Sequence, residues 1–189
     1  MRSLHRLPHA GAYGVLYADP PWAFRTFAGD NCTPHRSAED HYLTMPREQL
    51  RTLPVADIAG RRSALFMWTV SSHLDEAMHL GAAWGFEWKT IVFVWVKPSI
   101  GFGYWTRKQT ELCLLFTRGK PRRKSRGVPE LIMAPRREHS RKPDEVYGRI
   151  EALVDGPYLE LFARTTWPGW DAWGNQVGKF AKVDPGEAA

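Results

Sequence analysis

Tyr13-Gly-Val-Leu-Tyr-Ala-Asp-Pro-Pro-Trp22 is an unbroken apolar run that ends abruptly on a carboxylate, two prolines and an indole. The run Tyr13–Ala18 is too short for a helix and too apolar for a surface segment, so it reads as a buried strand closed by a rigid turn. Working outward, further strand-like runs occur at Ala64–Thr69, Thr90–Val96, Glu111–Thr117, Leu131–Ala134 and Tyr158–Ala163. Helical spacing appears between some of them. Ser71–Trp84 places Leu74, Ala77, Met78 and Leu80 on one face, with Ser71 or Ser72 as N-cap and Gly85 as stop; Pro143–Leu153 does the same with Val146, Ile150 and Leu153, and Pro46–Leu53 is a shorter helix. Strands alternating with helices predict an α/β fold around a mostly parallel sheet, with ligands at the carboxyl ends of the strands. Ala23–Asp40, Lys97–Lys108 and Arg118–Glu130 resist regular assignment, and the first two read as lids or base-binding loops.

The turn Asp19-Pro20-Pro21-Trp22 suits one kind of chemistry. An aromatic amino group is a poor nucleophile because its lone pair is delocalised into the ring. It is activated when a carboxylate (Asp19) and the Pro20 carbonyl each accept one N–H, which favours a pyramidal nitrogen. Prolines hold φ near about −65° and keep the preceding residue out of the helical region, so the carbonyls have a fixed aim. Trp22 offers a plane on which a flipped base would stack, worth roughly 1–3 kcal/mol. The tetrapeptide alone fits equally a strand that ends in a tight turn with Trp22 as a core anchor.

At 189 residues the chain predicts a single domain over 1–189, with its core at about 13–178, a frayed tail at about 179–189 and no room for a separate target-recognition domain. Cys32 and Cys113 lie in unlike contexts and form neither a metal-ligand nor a disulfide framework, which predicts no metal site and a reduced, cytoplasmic setting. No leader-like or membrane-spanning run stands out, so a soluble protein without a membrane partner is expected. The net charge of +6 is concentrated: residues 118–142 hold ten basic residues against two acidic ones, leaving the remainder at −2. Such a stretch predicts a polyanionic partner.

Taken together, Ala18-Asp-Pro-Pro-Trp22, His41-Tyr-Leu-Thr-Met45, Leu65-Phe-Met-Trp68, Val94-Trp-Val-Lys97, Glu111-Leu-Cys-Leu114, Ser140-Arg-Lys-Pro-Asp-Glu145, Glu160-Leu-Phe-Ala-Arg164 and Trp173-Gly-Asn-Gln176 resemble, in order, the motifs of the MT-A70-like adenine N(6)-methyltransferases. That family includes the catalytic subunit of the eukaryotic messenger-RNA adenine methylase and many short bacterial and phage members. The resemblance implies a Rossmann-like, S-adenosylmethionine-dependent methyltransferase fold with permuted motif order, the catalytic motif early and the cofactor motif late. It implies S-adenosylmethionine as cofactor and requires neither a metal nor a covalent intermediate. Asp19, Pro20, Pro21 and Trp22 would form the catalytic elbow, with Asp19 also facing the cofactor. Glu160 would hold ribose hydroxyls, Arg164 would orient the ribose or its neighbours, and Asn175 and Gln176 would meet ribose and adenine edges. Lys142, ahead of a helix, would meet the cofactor carboxylate, with phosphate contact as its rival use.

For the target base the resemblance points to Tyr42, Trp95 and Glu111, with Arg137 near the nucleic-acid backbone or the gate. Trp95 reads equally as a core aromatic, and Glu111, which interrupts an apolar run, as the partner of Lys97 or Arg107. Two departures stand out. Thr165-Thr166-Trp167 replaces the Pro-His-Asn of the eukaryotic catalytic subunit, and cofactor-adenine contacts that larger relatives draw from an upstream segment would have to come from His5-Arg6-Leu7 or be absent. DNA is the expected substrate, because the motifs fill the chain as in the short bacterial and phage members. The alternatives are the same reaction on RNA and a non-catalytic nucleic-acid-binding subunit, which the retained Asp19, Trp22, Glu160 and Asn175 disfavour. So small a core predicts a short or relaxed target sequence, or a homodimer or partner subunit that pools two basic patches.

Overall fold

The computed structural model describes residues 3–22, 45–101, 103, 105–138 and 141–180. A seven-stranded sheet organises them: β1 (Tyr13–Ala18), β2 (Ala59–Thr69), β3 (Glu87–Gly101), β4 (Lys108–Arg118), β5 (Leu131–Met133), β6 (Tyr158–Leu161) and β7 (Trp170–Trp173). Their spatial order is β5-β3-β4-β2-β1-β6-β7. Only β4 runs against the other six, pairing antiparallel with both β2 and β3. The α/β class and mostly parallel sheet expected from the sequence are therefore present. The first strand lies between β2 and β6, which explains its lack of polar residues: it is covered on both faces.

Helices cover both faces. On one side α1 (Arg47–Arg51), α2 (Val55–Ile58) and α3 (Leu74–Ala83) bury Leu50, Ile58, Ala77 and Leu80 against Leu16, Leu65, Leu114 and Phe116. On the other, α4 (Glu145–Leu153) lays Val146, Tyr147 and Ile150 over Val15, Tyr17, Phe66 and Trp95. Gly81 permits the closest of these approaches, since a Cβ there would collide with the Phe116 ring.

Several sequence expectations need correction. Trp170–Trp173 is a strand that its four residues between glycines did not announce; pairing with β6, and a hydrogen bond from the Tyr13 hydroxyl to Asp171, hold it in place. Lys97–Lys108 is not one loop, because β3 continues to Gly101 past Pro98 and regains β4 at Lys108 after a register shift. β2 begins at Ala59 rather than Ala64, its exposed Arg61 and Arg62 breaking the apolar pattern but not the pairing. Neither Ser71 nor Ser72 caps α3, whose N-cap is His73, although Gly85 does stop it with φ +81°. α4 starts at Glu145, after Pro143. Lys179 and Phe180, read as the start of a frayed tail, are pinned, with the Phe180 N–H donating to the Arg164 carbonyl at 3.1 Å. Ala23–Asp40 and Tyr42 lie outside the described residues.

Candidate active site

Asp19 follows the last residue of β1, at the carboxyl edge where β1 meets β6. Lys142 Nζ donates to Asp19 Oδ2 at 2.7 Å, and Arg164 Nη1 reaches the same oxygen at 3.4 Å. Among the described residues no hydrogen bond falls on Oδ1. The carboxylate is thus held at Oδ2 by two cations, while its Oδ1 takes no hydrogen bond from a described residue.

Lys142 is shared. Its Nζ also lies 3.2 Å from Glu111 Oε2, while Glu111 Oε1 accepts from Lys97 Nζ. The result is a chain of alternating charge, Arg164–Asp19–Lys142–Glu111–Lys97, buried at its two ends and half-buried between, at one edge of the sheet. Burial pushes the Glu111 carboxyl up, but Lys142 and Lys97 outweigh it and hold the group down to about 2. Burial likewise opposes the charge on Lys142, yet Asp19 and Glu111 raise its ammonium above the ordinary lysine value. Lys97 goes the other way, lowered by burial despite Glu111. Its Nζ lies 4.6 Å from the centre of the Trp95 ring, a cation–π distance.

Glu160 stands beside this chain, opposite Tyr17 in the β6–β1 register, and is 9% exposed. It is an interior residue because β7 covers what would otherwise be an edge strand. The Tyr147 hydroxyl donates to its Oε2 at 2.8 Å, and Trp167 stacks on the Tyr147 ring at 4.4 Å and 4°. Burial raises the Glu160 carboxyl to about 8. After β6 the backbone turns through Phe162 at φ +60°, and the Ala163 N–H donates to the Trp173 carbonyl at 3.0 Å. Gly174 lets the end of β7 pass so close that a Cβ would lie 2.6 Å from the Ala163 oxygen. Asn175 and Gln176 are thereby brought to the edge that carries Arg164.

Three predicted residues have partners within the protein. Trp22 is only 6% exposed, packed near His73 with its indole N–H 3.4 Å from the Trp68 carbonyl, so in this conformation it anchors the elbow rather than offering an open stacking face. The Pro20 carbonyl already accepts the Trp22 N–H at 2.8 Å, leaving its second lone pair for a ligand. Arg137, expected near the nucleic-acid backbone or the gate, engages the protein itself. It makes a bidentate pair with Asp144, both contacts at 2.6 Å, and donates to the Lys142 carbonyl at 2.9 Å, clamping the turn that presents Lys142. Trp95, 3% exposed and donating to the Ala134 carbonyl at 2.8 Å, belongs to the core. His5-Arg6-Leu7 sits beside α2 at the opposite edge of the sheet, with His5 facing Asp57.

The family model described as MT-A70 matches residues 13–176. The chain belongs to the MT-A70 family. It is 36% identical to the type II methyltransferase M.MunI of Mycoplasma sp over 87% of this chain and 78% of that protein. It is 30% identical to the human N(6)-adenosine-methyltransferase catalytic subunit METTL3 over 93% of this chain, and 30% identical to an MT-A70-like N(6)-adenosine-methyltransferase of Drosophila melanogaster over the same share. The chain spans 30% and 28% of those two larger proteins.

Within the MT-A70 frame, some working residues were less visible in the sequence. Tyr147 lies on the buried face of α4 with Val146 and Ile150, and a hydroxyl there was the available signal. Lys97 continues the inward alternation Phe93, Trp95, Lys97, which marks a lysine on a buried face. Asp144 gave none, since the partner of Arg137 is set by a turn. Among the described residues no helix is long and apolar enough to cross a membrane.

Proposed function

We propose that this protein is an S-adenosylmethionine-dependent N(6)-adenine methyltransferase acting on DNA. The observation that carries the chemistry is the one-sided anchoring of Asp19. Asp19 Oδ1 and the spare lone pair of the Pro20 carbonyl accept the two N–H groups of an exocyclic amino group, and Lys142 and Arg164 keep the carboxylate from turning away. Glu111, itself fixed by Lys97 and Lys142, is the second carboxylate within the same charge chain and supports contact with the base. Preorganised acceptors of this kind contribute roughly 10²–10³ in rate apiece.

The residues present fit the cofactor. A buried carboxyl beside Asp19, backed by Tyr147, suits a ribose diol; a carboxylate at the end of β1 suits a cationic sulfonium; and Asn175 and Gln176 bring amides to the same edge. When bound, S-adenosylmethionine supplies an electrophilic methyl group. Glu160, Arg164, Asn175 and Gln176 would hold it, with Lys142 shared between its carboxylate and Asp19.

Support for DNA is the match to a type II methyltransferase over most of both chains, whereas the N(6)-adenosine-methyltransferases are matched over less than a third of their length. Those same relatives favour RNA as the second reading. Transfer of labelled methyl to duplex DNA, single-stranded DNA and RNA, with nucleoside digestion and Asp19→Ala as control, tests both. N(6)-methyladenine in DNA that disappears with Asp19→Ala is expected; a product confined to RNA replaces the substrate, and methylation that survives Asp19→Ala removes the mechanism.

A further inference from the structure

The basic run at 118–142 does not form one surface. It starts at the amino edge of the parallel strands, where Arg118 pairs with Ser63, and reaches the carboxyl edge only after β5. Its later members are largely consumed in ion pairs: Arg137 with Asp144, Arg141 with Glu138 and Asp144, Lys142 with Asp19 and Glu111. Of its early members, Lys124 pairs with Asp155, but Lys120, Arg122 and Arg123 have no ion pair among the described residues. Gly119, at φ +62°, turns the chain against the Arg61 carbonyl, and a Cβ there would lie 3.6 Å from Arg62 Cγ. That turn gathers Lys120, Arg122 and Arg123 at the edge that already carries Arg61 and Arg62, all five exposed.

Among the described residues no carboxylate or carbonyl engages these five cations. The nearby carboxylates have other partners: Asp155 pairs with Lys124 at 2.8 Å, and Glu87 pairs with Lys89. Arg118 itself donates to the Ala56 carbonyl. Two distant segments thus build one unneutralised cluster, rich in guanidinium groups whose planar fork fits phosphate oxygens. Along β4, from Glu111 to Arg118, this cluster lies about 24 Å from the charge chain.

We propose that the amino-edge cluster grips the phosphate backbone of the same nucleic acid whose adenine enters the carboxyl edge, about seven nucleotides from the reacting base at roughly 3.4 Å per step. The polynucleotide then runs down the flank of the sheet rather than only across its top. This rests on the nucleic-acid reading above and adds to it a length requirement. A short substrate fills the catalytic edge alone; a long one also engages Arg61, Arg62, Arg122 and Arg123.

The test is binding by fluorescence anisotropy of a hairpin of about 10 base pairs and a duplex of about 30, each with a central adenine, at several salt concentrations. Wild type is compared with the variant Arg61→Gln, Arg62→Gln, Arg122→Gln, Arg123→Gln. The variant is expected to bind the long duplex about tenfold more weakly, with a salt slope smaller by about 0.9 for each phosphate it no longer neutralises, and to bind the hairpin as wild type does. Equal weakening on both lengths, or none on either, overturns the proposal while leaving the adenine reading intact. Weakening seen only on anionic vesicles or acidic peptides assigns the surface to another partner and also overturns it. Wild type that binds neither DNA nor RNA removes both readings together.

Discussion

The two edges of the sheet carry comparable numbers of charges and use them in opposite ways. At the carboxyl edge Asp19, Glu111, Lys97, Lys142 and Arg164 are buried or half-buried, each against an opposite charge, so that their main product is position. At the amino edge Arg61, Arg62, Lys120, Arg122 and Arg123 are exposed and pair with no carboxylate among the described residues, so that their product is a field. A buried pair is intolerant of losing one member, because the other is left uncompensated in a low dielectric. An exposed cation is replaceable for the fold and matters to a distant polyanion. Local charge counts alone do not separate these cases.

The contrast breaks most sharply at Lys142. Lys142→Met removes the cation that Asp19 and Glu111 share, leaving Asp19 to Arg164 and Glu111 to Lys97, and is expected to cost about 3 kcal/mol of stability in urea unfolding, with loss of methyl transfer. Next in size is Asp19→Asn, which keeps the shape but weakens the acceptor and the hold of both cations; kcat is expected to fall about 10³-fold with the fold intact by circular dichroism. Stability close to wild type after Lys142→Met would show that the charge chain is ornamental.

Glu160 and Glu111 sharpen the comparison because their carboxyls are shifted in opposite senses. Glu160 is raised to about 8, so its neutral form is favoured by folding; its contribution is complete below the ordinary carboxyl range and is lost as pH rises to about 8. Glu160→Gln should therefore remove a few kcal/mol of the decline in stability between about pH 5 and 8. Glu111 is lowered to about 2, so its contribution is present above the ordinary carboxyl range and is lost as pH falls toward 2. Glu111→Gln should flatten the acid limb and leave the limb between about pH 5 and 8 unchanged. Denaturation profiles of both variants between about pH 3 and 9 check the signs. The smallest effect is expected at the other edge, where Arg122→Gln should change stability by less than about 0.5 kcal/mol.

What was legible in the sequence follows from how local its cause is. Tyr13–Ala18 reads as a strand because burial on both faces leaves it no polar residue, and Gly85 reads as a helix stop because a positive φ favours glycine. The elbow, the Glu160 strand and Lys142 beside α4 were visible for the same reason. Trp170–Trp173 was not, since its pairing with β6 is entirely tertiary. The hairpin beyond Lys97 was hidden by Pro98 and a register shift. The use of Trp22 and Arg137 depended on partners, Trp68 and Asp144, that no periodicity announces. Equal charges in one run, from Arg118 to Lys142, went to opposite ends of the molecule because β5 intervenes.

The reversed direction of β4 has a consequence for how the molecule assembles. A hairpin needs no crossover, so Lys97 and Glu111 are 14 residues apart in the chain, whereas Lys142 and Asp19 are 123 apart. Hairpins close in roughly 1–10 μs, while contacts between distant segments wait on the whole topology. The acid that receives Lys142 is therefore expected in its strand pair before Asp19 has its partners. Pulsed hydrogen exchange during refolding should find the Cys113 and Leu114 amides protected before those of Leu16 and Tyr17.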